Sequence, residues 1–154
     1  MILWFAGGAC LGVWLVFRDP RIDYRLVAAG ALLPDVVDGL FGGARLLHSL
    51  PFSALLLFGV MLGSRRGGQA RPRLLALPIG TFMHLLLDGA WGSTAVFWWP
   101  FFGWSFGRAP LPSLERPVWL LVVQEAAGLG ALLWFRAARR ETVGGAVGGA
   151  VGGA

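Results

Sequence analysis

The sequence predicts an all-α fold, a polytopic transmembrane helical bundle of about five helices. Three observations carry that expectation. The 154-residue chain is 56% hydrophobic and only 14% charged, whereas soluble domains are roughly 45–50% apolar and about 25% charged. Its apolar residues fall in runs close to the roughly 17–25 residues that a helix needs to cross a bilayer. All thirteen basic residues are arginines, and they gather between those runs, which is how a membrane protein fixes its orientation. The composition excludes a disordered chain and argues against an ordinary cytosolic enzyme. The net charge of +5 would suit nucleic acid, but the clustering of the arginines makes the lipid bilayer the expected partner, with no nucleic acid. The length suits one domain, residues 1–140.

The elements follow in order. Residues 1–17 form the first run, and Gly8 and Gly12 within it have the small-residue spacing of close helix packing. The single cysteine, Cys10, excludes an intrachain disulfide or a paired-cysteine metal site and is expected as a small buried residue. No basic segment precedes it, so a lipoprotein signal is not expected. Residues 26–40 form a shorter run carrying Pro34, Asp35 and Asp38, and they either span or re-enter. Residues 47–63, 74–91 and 117–135 complete the set. Residues 92–116, rich in Trp, Phe, Gly and Pro, read as an interfacial loop or shallow re-entrant piece. Trp favours the headgroup level, and Pro100, Pro110 and Pro112 argue against one continuous helix. The last residues, 141–154, hold three Val-Gly-Gly-Ala copies and read as a flexible tail.

The arginines set the expected orientation. Arg18, Arg21 and Arg25 follow the first run, Arg65, Arg66, Arg71 and Arg73 the third, and Arg136, Arg139 and Arg140 the fifth. Five alternating crossings place all three clusters on one side, the cytoplasmic side of an inner membrane, with the N-terminus out and the C-terminus in. Arg45, Arg108 and Arg116 are left outside.

Ionisable residues inside or at the ends of apolar runs point to a site, because a charge at mid-bilayer costs about 2.5–3.5 kcal/mol on insertion scales. They are Asp35, Asp38, His48, His84, Asp88 and Glu125. Asp35 and Asp38 share one helix face at i,i+3, and His84 and Asp88 share another at i,i+4. In the topology derived from the arginines, these four and His48 converge near the extracytoplasmic face. Glu125 falls deeper in the same half, as a supporting partner or proton acceptor. Two imidazoles and three carboxylates suit a divalent metal such as Zn²⁺, Mn²⁺, Fe²⁺ or Mg²⁺. A leftover carboxylate, Asp38 or Glu125, would take a proton from water, and Arg45 would clamp an anionic group. The competing readings are hydrogen-bonding between helices and a proton or ion path. Ser49 and Thr81 read as cap or packing residues, and no G-x-S-x-G elbow is present.

These motifs resemble a known family. Gly30-Ala-Leu-Leu-Pro34-Asp35-Val-Val-Asp38, Arg45-Leu-Leu-His48-Ser49-Leu50, His84-Leu-Leu-Leu-Asp88 and Phe97-Trp98-Trp99-Pro100 are similar in order and rough spacing to segments of the membrane-bound metal-dependent hydrolases. Those proteins are also described as LexA-binding, inner-membrane-associated hydrolases. The resemblance covers residues 26–105, with Glu125 a single-residue match beyond it. It implies Asp35, Asp38, His48, His84 and Asp88 as metal-site residues. Two features depart from the pattern: a His-Arg pair before the His-Ser segment and a histidine near the N-terminus are both missing. That implies a branch with fewer histidines, holding one metal or one strong and one weak. The LexA-binding label has no counterpart in these residues. The expected activity is hydrolysis of an ester or phosphoester in a lipid or envelope molecule. The alternative is a non-enzymatic membrane protein, either a small transporter or a metal-binding structural bundle.

Overall fold

The computed structural model describes residues 1–40, 46–68, 70–92, 94–101, 103 and 116–151. The chain order is α1 (Ile2–Phe17), α2 (Tyr24–Leu40), a 3-10 turn (Leu46–His48), α3 (Leu50–Gly63), α4 (Ala70–Asp88), a second 3-10 turn (Ala90–Gly92), a short α5 (Thr94–Phe97) and α6 (Val118–Val151). Every described element is helical, so the all-α expectation holds. Within α6, Val118–Thr142 is long and apolar enough to cross a membrane, while α1 and α3 are apolar but shorter.

Local chemistry sets the boundaries. Arg18 stops α1 in the left-handed conformation, φ 47°, its N–H returning to the carbonyl of Trp14, the geometry that satisfies a helix C-terminus. Ser49 starts α3: its hydroxyl accepts the N–H of Phe52, and Pro51 occupies the first turn, where a missing N–H is harmless. The hydroxyl of Thr81 donates to the carbonyl of Leu77 one turn back. Ser49 and Thr81 thus have the capping and packing roles their positions suggest.

Glycines decide which helices meet. A Cβ on Gly30 of α2 would collide with the carbonyl of Leu77 of α4, and one on Gly80 of α4 with the carbonyl of Val27. Gly7 of α1 and Gly128 of α6 are opposed in the same way, backbone to backbone. Both pairs run parallel: residues 27–31 climb alongside 77–84, and Leu3, Gly7 and Trp14 climb alongside Glu125, Gly128 and Phe135. Close approach of this kind is the packing available where apolar burial alone gives little drive. The Gly8 and Gly12 spacing also faces a helix, but it receives the Leu87 and Met83 side chains of α4 rather than backbone. The core joins Phe5, Ala9, Cys10, Val13 and Trp14 of α1 to Tyr24, Val27 and Ala31 of α2, Ala76 of α4 and Phe135 of α6. Cys10 is buried as expected, 3.4 Å from the carbonyl of Tyr24.

The two ends of the bundle differ. Arg21 and Arg25 near the start of α2, Arg73 in the first turn of α4, and Arg136 and Arg139 of α6 surround one cavity. Asp35, Asp38, Asp88, Glu125 and both histidines lie at the other end. α6 is described to Val151; the last residues of the expected tail, 152–154, lie outside the described residues. Of the aromatic segment, Val96 and Phe97 are buried while Trp91, Trp98 and Phe101 are exposed; residues 104–115 lie outside the described residues.

Candidate metal centre

The site begins with a proline. Pro34 sits buried inside α2, where it has no N–H for the carbonyl one turn back and its ring crowds that turn. The carbonyl left without that donor is that of Gly30; the next one, of Ala31, meets His84 Nδ1 of α4 at 2.7 Å. A carbonyl only accepts, so Nδ1 carries the proton and Nε2 presents a lone pair. The Phe5 ring lies against the His84 ring at 4.1 Å between centroids, fixing its plane.

His48 ends the 3-10 turn and is held from α2. Its Nδ1 lies 2.8 Å from Asp38 Oδ2, and the backbone N–H groups of Leu47 and His48 donate to the same carboxylate. The carboxylate accepts, so Nδ1 donates, and in the neutral ring Nε2 presents its lone pair. Both rings are buried.

The two Nε2 atoms stand 3.3 Å apart. Asp35 Oδ1 completes a triangle, 3.5 Å from His48 Nε2 and 3.6 Å from His84 Nε2. That oxygen is buried and has no hydrogen-bond partner among the described residues. With both rings neutral, three electron-pair donors face one another, an arrangement that a proton or a metal cation between them relieves. The centre of the triangle is about 2.0 Å from each corner, the length of Zn–N and Zn–O bonds. Asp35, His48 and His84 therefore form a group that could hold a metal ion. Asp38 stands behind it, as carboxylates behind metal-binding imidazoles do, fixing tautomer and ring orientation.

The other expected site residues are placed elsewhere. Asp88, one turn beyond His84, is buried and paired with Arg116, whose guanidinium lies 3.1 Å from Oδ1 and 2.6 Å from the Asp88 carbonyl. Asp88 Oδ2 is buried without a hydrogen-bond partner among the described residues. Glu125 accepts the N–H of Leu3 at 3.0 Å and lies 3.6 Å from the amino group of Met1. It meets the positive end of α1 rather than the metal group, and it is not deeper than the other acids: Trp4, next to Leu3, donates to the carbonyl of Leu87. Arg45 lies outside the described residues. Sequence reasoning missed Arg116, whose only signal was being an arginine left on the side opposite the clusters, and the carbonyl of Ala31, for which the sequence carried no signal.

No family model matches this chain, and neither a curated protein nor a solved structure matches it.

Proposed function

We propose that the protein is a polytopic inner-membrane hydrolase that uses one divalent metal, best matched by Zn²⁺, on an ester or phosphoester of a lipid-like substrate at the extracytoplasmic face. The carrying observation is the triangle of His48 Nε2, His84 Nε2 and Asp35 Oδ1, with sides of 3.3, 3.5 and 3.6 Å. An N₂O set with bond lengths near 2.0 Å suits a four-coordinate ion with an open position, in contrast to the all-oxygen octahedron of Mg²⁺. The resemblance to the membrane-bound metal-dependent hydrolases supports the same residues.

The five long helices, with N-terminus out and C-terminus in, accord with the gathering of arginines at one end. Exposed apolar side chains on α3 and α6, among them Leu55, Phe58, Leu62, Trp119 and Val122, suit contact with lipid. An apolar groove of about 480 Å³ between α1, α3 and α4 begins at Leu50, two residues after His48, and supports a substrate with an acyl chain. A proton path has less support, since the core from the cluster toward the arginines is built from Val27, Ala76, Val13 and Trp14.

When bound, the metal would act as a Lewis acid that makes water nucleophilic near neutral pH. Asp38 holds the His48 ring and the Ala31 carbonyl holds the His84 ring. Asp88, one turn past His84 on α4, pairs with Arg116. Arg116, held beside it, offers charge to a developing anion. Metal content of the detergent-purified protein tests this reading against His84→Ala and Asp35→Ala. Near-stoichiometric transition metal in the parent, lost in both folded variants, is expected. An empty parent after reconstitution with Zn²⁺, Mn²⁺ and Mg²⁺ would overturn it.

A further inference from the structure

At the arginine end, a cavity of about 590 Å³ opens between the start of α2, the first turn of α4 and the late turns of α6, with α1 along one wall. Its rim carries five arginines, Arg21, Arg25, Arg73, Arg136 and Arg139, against a single carboxylate, Asp23. Two of the five are already engaged. Arg21 is paired with Asp19 at 2.9 Å, an exposed ion pair whose guanidinium holds the Asp19 carboxyl below its ordinary range. Arg139 donates to the carbonyl of Pro20 at 3.2 Å and lies 5.3 Å above the Tyr24 ring, which fixes its plane. Arg25, Arg73 and Arg136 have no carboxylate partner among the described residues. Three elements far apart in sequence thus present unneutralised guanidinium forks to one space, which is the chemistry that holds a phosphate through paired N–H donors.

The rest of the wall is apolar and runs away from the arginines. Ala6 and Cys10 of α1, Ala28 of α2, and Leu132 and Phe135 of α6 line it. Along α6 the wall leaves Arg136 through Phe135 and Leu132, and Cys10 and Ala6 continue it on α1. A free anion has no use for that wall; an anion attached to an acyl chain does. We propose that this cavity is a binding site for an anionic phospholipid of the arginine-side leaflet, its phosphate among Arg25, Arg73 and Arg136 and one chain along the α1–α6 wall. The inference rests on the chain being membrane-embedded and is independent of the metal group at the other end.

The test is native mass spectrometry of the full chain in detergent, titrated with phosphatidylglycerol or phosphatidylcholine of matched chains, with membrane retention after a carbonate wash checking the membrane reading separately. The parent is expected to retain phosphatidylglycerol at least tenfold better. Arg73→Gln/Arg136→Gln should lower that affinity about 10- to 30-fold, at roughly 1 kcal/mol per arginine. Arg65→Gln/Arg66→Gln removes the same charge at exposed positions outside the cavity and should leave it within twofold. If the first pair misfolds, Arg25→Gln alone should still weaken binding severalfold. Equal retention of the two lipids, or equal loss in the two double variants, would overturn the site. Displacement of the lipid by an equal concentration of inorganic phosphate would assign the cavity to a free anion and overturn the lipid.

Discussion

Two acids near His84, Asp35 across the helix interface and Asp88 one turn further along α4, meet opposite fates. Asp35 of α2 faces two imidazole nitrogens, while Asp88 of α4 faces the guanidinium of Arg116. Both sit at the same end of the bundle. An arginine that cannot lose its proton closes a carboxylate into a finished ion pair. Imidazoles whose other nitrogen is already committed to a carboxylate or carbonyl leave their lone pairs unspent. The difference separates a place that could receive a metal from one already neutralised, although the sequence offers Asp35 and Asp88 as equals.

The largest effect that would sharpen this contrast is expected from His84→Ala. Losing a direct ligand should abolish measurable metal retention by elemental analysis while the helical circular dichroism stays. Retained metal would erase the distinction between the two acids. Asp38→Asn comes next. It keeps the size of the side chain but weakens the hold on His48, and metal affinity by competition with a chelator should fall about 10–100-fold. Arg116→Gln should act in the other currency: metal content unchanged, and stability in detergent lower by about 1–3 kcal/mol because Asp88 is left buried and unpaired. The double variant Asp88→Asn/Arg116→Gln should recover most of that. The smallest effect belongs to the exposed pair at the opposite end. Asp19 has a depressed pKa, so its contribution is present above the ordinary carboxylate range and is lost as pH falls through the lowered value. In water that contribution is screened, and Asp19→Asn should leave the thermal midpoint at pH 7 unchanged.

Much of this arrangement was legible in the sequence. The five apolar runs correspond to α1, α2, α3, α4 and α6 because each is bounded by arginine, proline or serine chemistry that acts locally. His48, His84, Asp35 and Asp38 were found because charge inside apolar sequence needs a reason. Their division of labour was hidden. Asp35 and Asp38 share a helix face, and only the position of the Leu46–His48 turn decides that Asp38 takes Nδ1 and Asp35 faces Nε2. The partner of Asp88 lies 28 residues away, beyond any helical spacing. Glu125 was misplaced because α1 and α6 are offset, which is set by the contact of Gly7 with Gly128 rather than by run length.

The contact between Gly30 and Gly80 acts as a gauge for the metal group. It lies about one turn from the donors: His84 is four residues past Gly80, and Asp35 is four past Ala31, which sits against Gly80. The gap between Asp35 and His84 is therefore the helix separation permitted by two absent side chains. A methyl group at residue 30 or 80 touches no donor, yet it would spread α2 from α4 and widen two sides of the triangle together. A larger ion would then fit better than a smaller one, so the choice of metal at this site is tunable from the packing seam beneath it.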